Sequence, residues 1–174
     1  HFDSQLNDWK PLTTGDVQII RAGNGISHAE HLEKGGVIFQ IWVDPDLSKT
    51  LAKNATYDDY RASDFPTEKS GLTAITYYAG EKGIMQLDTP DVDIRRILVG
   101  PEWYEWKGEQ DKVRSLYIIK GGGLLNGKTV EPDDFIIMEE GEDVSLLAHE
   151  LMDVFAFTVP DKPQYDTYIS RFSS

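Results

Sequence analysis

The 174-residue sequence contains no cysteine. Disulfides, thiolate metal sites and cysteine nucleophiles are therefore excluded, and the redox compartment is left open. No apolar run approaches the about 18 residues of a membrane span, and no signal peptide is visible, so the expected location is cytoplasmic. Basic residues are scarce: 17 Lys and Arg against 30 Asp and Glu leave a formal charge of −13. Such a surface repels phosphate backbones and anionic membranes, so neither nucleic acid nor a membrane is an expected partner. Nucleophile signatures, phosphate loops and nucleotide fingerprints are missing. Gly121-Gly122-Gly123 precedes a strand-like run, not a helix, and is no phosphate cradle. There is also no His-x-His pair.

What is present argues for a folded β protein. Apolar residues make up 40% of the chain and aromatics 11%, enough for a core and too much for disorder. The length allows one ordinary domain or two small ones. Short runs rich in β-branched and aromatic residues, bounded by Gly, Pro and Asp, predict strands at 17–21, 36–43, 71–78 and 95–99. Further strands are expected at 115–120, 123–125, 135–138, 144–148 and 154–158. Asn126-Gly127 is a hairpin turn signal, because both residues tolerate positive φ. Turns at short, regular spacing favour a sandwich or barrel over a parallel sheet. Helix is expected only as a turn near 57–61. The polar stretch 47–69, with Pro66 near its end, reads as the connection between two β units. Residues 161–174 form a polar tail, either a packed arm or a loose end.

The chemistry concentrates in Ala22-Gly23-Asn24-Gly25-Ile26-Ser27-His28-Ala29-Glu30. In a strand, residues two apart share a face, so His28 and Glu30 can reach into one cavity. Imidazole plus carboxylate suits iron, manganese, nickel or zinc. It is half of a site; the plainer reading is a pair of ordinary strand residues. His1 and Asp3, two residues apart, would share a face of an extended strand, and His31 would face away from His28 and Glu30 unless a bulge turned it inward. The plainer reading of His1 and Asp3 is a frayed terminus. Gln18 is either a pocket residue or a hydrogen-bonding core amide. Trp103, Tyr104 and Trp106 suit a pocket or a core, with Trp103 and Glu105 opposing Tyr104 and Trp106. His149 is expected to be a turn histidine.

Gly15-Asp16-Val17-Gln18, the stretch 22–30, and Phe39-Gln40-Ile41-Trp42-Val43 resemble the pirin family of bicupins in order and spacing. His1-Phe2-Asp3-Ser4 resembles the segment preceding that block. The resemblance is strong over 1–60 and looser up to about residue 160. It implies an all-β fold of cupin barrels (double-stranded β-helix, jelly-roll type) in tandem. Residues 1–60 would be the C-terminal part of the first barrel and 61–160 the second. The family holds one metal through an early His-x-His and a later His-x-Glu. By resemblance, His28 and Glu30 are the later pair. The early pair is expected upstream of His1, leaving the first barrel incomplete at its front. The implied cofactor is a divalent transition metal (Fe, Ni, Mn or Zn), or none with half of the ligands missing. His1, Asp3 and His31 are candidates to complete the set.

Some members of that family oxidise quercetin with dioxygen and others are described as nuclear cofactors. Two readings follow: a quercetinase-like dioxygenase for a small aromatic substrate, incomplete as this chain alone, or a non-catalytic module that binds protein or small molecules. An open sheet edge is sticky, so a homodimer, the tail or strand exchange is expected to cover it.

Overall fold

Apolar alternation becomes antiparallel strand pairing through most of the chain. The computed structural model describes residues 1–3 and 8–172, without the side chains of Asp3, Arg171 and Phe172. It divides into two units. The first comprises His1–Asp64, Leu87–Pro90 and Gln164–Ser174; the second comprises Phe65–Gln86 and Asp91–Pro163.

The first unit holds strands β1 (Phe2–Asp3), β2 (Asp8–Trp9), β3 (Val17–Arg21) and β4 (His28–Ala29), one helical turn α1 (Leu47–Thr50), and β5 (Thr56–Tyr60). β1 lies between β2 and β4, and β3 pairs with β5 from Val17 opposite Tyr60 to Arg21 opposite Thr56. α1 starts where the Asp46 carboxylate accepts the Ser48 N–H at 3.1 Å, satisfying a donor that the helix leaves unpaired.

Three expectations change here. Residues 57–61 were expected to hold a helical turn, yet Thr56–Tyr60 is a strand. Its acidic side chains are met by cations: Arg21 Nη2, across the ladder, sits 2.5 Å from Asp58, and Lys10 Nζ sits 3.7 Å from Asp59. The stretch 47–69 is accordingly no mere connection, since it supplies α1, β5 and the first strand of the second unit. Residues 36–43 were expected to form a strand but form none, and Val37 (84% exposed) and Trp42 (90% exposed) face solvent. β-propensity becomes a strand only where a neighbour takes up the backbone hydrogen bonds. The tail packs as an arm: the Tyr165 hydroxyl donates to the Asp44 carbonyl at 2.6 Å, and the Tyr168 N–H donates to the Asp44 carboxylate.

The second unit contains β6 (Thr67–Ser70), β7 (Thr73–Ala79), β8 (Asp93–Val99), β9 (Trp103–Trp106) and β10 (Lys112–Lys120). It continues with β11 (Gly123–Leu125), β12 (Lys128–Val130), β13 (Phe135–Met138), β14 (Val144–Ala148) and β15 (Met152–Pro160). One sheet has the order β13-β10-β15-β8-β7-β6, the other β12-β11-β14-β9. Alternate residues of both sheets build a single core: Ile97, Val99, Leu116, Ile118, Val154 and Ala156 from the larger, Leu125, Val130, Val144, Leu146 and Ala148 from the smaller. On the larger sheet's other face, Phe65, Tyr78, Phe155 and Phe157 form a chain of ring contacts with centroids 4.7, 5.8 and 5.2 Å apart, the middle pair stacked and the outer two edge-on.

Two glycines are required locally. Asn126 (φ 47°) and Gly127 (φ 78°) make the two-residue turn between β11 and β12 in the left-handed region that the pair suits. At Gly123 the restriction is steric, because a Cβ would collide with the Leu147 carbonyl oxygen of the neighbouring strand. No helix among the described residues is long and apolar enough to cross a membrane.

The core position Ile118 is fully buried, whereas Leu72 is 60% exposed. Ile118→Ala should lower the unfolding free energy by about 2–5 kcal/mol, and Leu72→Ala should change it by no more than about 0.5 kcal/mol. Urea denaturation of the three proteins tests this; equal losses would place the core elsewhere.

Candidate functional site

The short sheet of the first unit brings the sequence candidates together. β1 and β4 pair with Phe2 opposite Ala29 and Asp3 opposite His28. One further step in that register sets His1 opposite Glu30, on the face that His28 shares. The imidazoles of His1 and His28 stack with centroids 5.6 Å apart and planes at 26°. His1 is tied to β2 as well: Lys10 N–H donates to its carbonyl at 2.8 Å, and its ammonium group donates to the Lys10 carbonyl at 3.2 Å. The Tyr57 ring lies 6.5 Å from the His1 ring, and Lys10 Nζ stands 4.9 Å over Tyr57.

Glu30 lies just beyond β4, and its carboxylate accepts Gln40 Nε2 at 2.7 Å. His28, Glu30 and His31 are all solvent-exposed. His31 takes the opposite face, as alternation requires, with Trp9 edge-on at 6.3 Å and Glu33 at 3.9 Å. The Asp3 side chain lies outside the described part of the structure. Gln18 does not join this group: it donates across the β3–β5 ladder to Asp59 at 2.6 Å.

Among the described residues, no three His, Cys, Asp or Glu side chains converge as metal ligands do. Two imidazoles in ring contact and a carboxylate held by an amide do not form a closed coordination set. The described donors thus do not fit a metal as they stand.

Reading the sequence missed two features. Tyr57 and Lys10 flank His1, and the period-2 pattern of β5 was obscured by its acidic residues. In the second unit Arg95 and Arg114 point into the core; the available signal was an arginine in phase with Ile97 and Val99, and another in phase with Leu116 and Ile118. Trp103 is exposed while Tyr104 and Trp106 pack on the core, the split that alternation predicted. His149 is exposed at a turn, where its N–H donates to the Gly122 carbonyl at 3.0 Å.

No protein-family model and no curated protein sequence matches the chain. Solved structures do. GK1651 from Geobacillus kaustophilus superimposes with a TM-score of 0.74 at 22% identity, over 87% of this chain and 66% of that one. A quercetin 2,3-dioxygenase from Acinetobacter baumannii superimposes with a TM-score of 0.68 at 18% identity, over 86% of this chain and 57% of its own. The fold is of the cupin type. At these identities the likeness concerns the fold alone, and this chain spans less than two thirds of the length of each of these two proteins.

Asp16, in the block preceding the histidine motif, anchors the cupin-type chain around β3 and β5. Its nearly inaccessible carboxylate accepts the Thr13 N–H and the Ala62 N–H, each at 2.9 Å, and Arg61 Nη1 at 2.8 Å. The Thr13 and Ala62 amides, followed by Arg61, hold this carboxyl well below the usual carboxylate range. A depressed folded-state pKa contributes stability above the unfolded value of about 3.9 and loses it as pH falls toward the folded value. Asp16→Asn should therefore be less stable than the parent at pH 7 and pH 5, with the gap narrowing at pH 3. Denaturation midpoints at the three pH values check this; a gap independent of pH would show that the charge is not what matters.

Proposed function

We propose that this chain is a pirin-like cupin protein related to metal-dependent quercetin 2,3-dioxygenases, and that alone it carries an incomplete metal site. The stacking of His1 and His28 on paired strands, with no third ligand converging among the described residues, carries this reading. The fold likeness to a quercetin 2,3-dioxygenase and the His-x-Glu spacing at His28 and Glu30 support the relationship. The site's exposure favours the incomplete state, because a competent centre excludes bulk water from the reacting atoms. On this reading the chain alone works as a binding module for protein or small aromatic molecules, and oxidation requires ligands from elsewhere.

The protein should retain well under one equivalent of metal after exposure to Fe(II), Ni(II), Mn(II) or Zn(II) and desalting. That content should be unchanged in His28→Ala, and quercetin should not be consumed. Near-stoichiometric metal that His28→Ala removes, with flavonol oxidation, would overturn the incomplete-site reading and establish the dioxygenase.

The exposed apolar run around Val37, Ile38 and Trp42 supports a further proposal, that a second copy of the chain covers residues 36–43. The chain should then sediment as a dimer and Trp42→Asp should shift it toward monomer. A wild-type monomer at all concentrations tested would refute the pairing.

A further inference from the structure

Inside the second unit, the inward positions at one end of the core change from apolar to polar. Asp93 and Arg95 continue the face of Ile97 and Val99, Arg114 that of Leu116 and Ile118, and Thr158 that of Val154 and Ala156. Their registers align, with Arg114 opposite Thr158, Thr158 opposite Asp93, and Arg95 opposite Tyr77. The smaller sheet contributes Tyr104 and Trp106 to the same interior. The Arg95 guanidinium lies 4.3 Å from the centre of the Trp106 ring and 5.3 Å from that of Tyr77, and the Arg114 guanidinium lies 4.0 Å from the centre of the Trp106 ring.

The hydrogen bonds leave an excess of donors. Arg95 Nε donates to Asp93 Oδ1 at 2.6 Å, and among the described residues its two terminal nitrogens have no acceptor. Arg114, 2% exposed, donates through its terminal nitrogens to the Lys107 carbonyl, to Glu109 Oε1 at 3.1 Å and to the Glu142 carbonyl at 3.5 Å. Its Nε is buried without a partner, and so is the Thr158 hydroxyl. The Tyr104 hydroxyl also has none among the described residues. Desolvation pushes that phenol up to about 12, so it stays protonated and can donate. Guanidinium nitrogens donate and cannot accept, so the open arginine positions call for a group that brings lone pairs. Asp93 and Glu109, each already engaged by one arginine, are the carboxylates within this set. The paired terminal nitrogens of Arg95 form a fork that matches the two oxygens of a carboxylate, and Trp106 and Tyr104 provide flat walls beside it.

We propose that this end of the second unit binds the carboxylate of a small organic acid, with Arg95 as its anchor, Tyr104 as a further donor and Trp106 as the wall. The site is independent of the histidine motif. Benzoate is the probe: added to the full-length chain, it should shift the Trp106 indole N–H resonance saturably, with the signal identified by Trp106→Phe. Arg95→Gln should weaken binding at least tenfold and Tyr104→Phe several-fold, while thermal melts confirm that both variants are folded. If Arg95→Gln does not fold, Arg95→Lys decides, since it keeps the charge but loses the fork and should also bind more weakly. No saturable shift in the parent protein, equal affinity in the Arg95 variant, or the same shift from chloride at matched ionic strength would overturn the proposal.

Discussion

Every strand in this chain depends on a neighbour for its backbone hydrogen bonds, and the structure is organised by where those neighbours are found. In the second unit β10, β15 and β8 pair along most of their length, so alternate side chains are committed to one interior. The same commitment carries Arg95, Arg114 and Thr158 inward, because residues in phase with a core cannot point elsewhere. In the first unit the ladder that carries the histidine motif is short. β1, β2 and β4 pair over two residues each, and the histidines they carry remain at the surface.

This contrast explains what could be read from the sequence. Strands β3, β11, β13 and β14 lie where alternation and turn residues put them, because both signals are local. The run 36–43 has the strongest β composition in the first unit and forms no strand, since composition says nothing about an available partner. β5 shows the opposite case: residues 57–61 read as a helical turn, yet Thr56–Tyr60 is a strand in which Asp58 and Asp59 are engaged by Arg21 and Gln18 of β3 and by Lys10. The all-β class was legible because it follows from many short strands and their turns, whereas the cupin type was expected only from the resemblance of the motifs in residues 1–43 to the pirin family.

The site was legible only in part. The pairing of β1 with β4, and hence the approach of His1 to His28, follows from placing both on adjacent strands. The hydrogen bond that draws Glu30 toward Gln40 comes from a segment whose course the sequence does not determine. The arginine cluster of the second unit was hidden because a charged residue in a buried phase reads as an interruption of a strand. Its guanidiniums are accommodated by indole faces and by loop carbonyls such as those of Lys107 and Glu142.

Gly123 and Gly127 sit four residues apart yet set different limits on how this sequence can drift. Gly127 is needed for its backbone angle and has open space around it, so asparagine or aspartate is an acceptable successor there. At Gly123 a Cβ would run into the carbonyl of Leu147 and press on the Met152 sulfur, so every L-residue is too large, whatever its conformational preference. Substitution can accumulate at the hairpin tip, but at its base only a coordinated shift of β14 would admit a side chain.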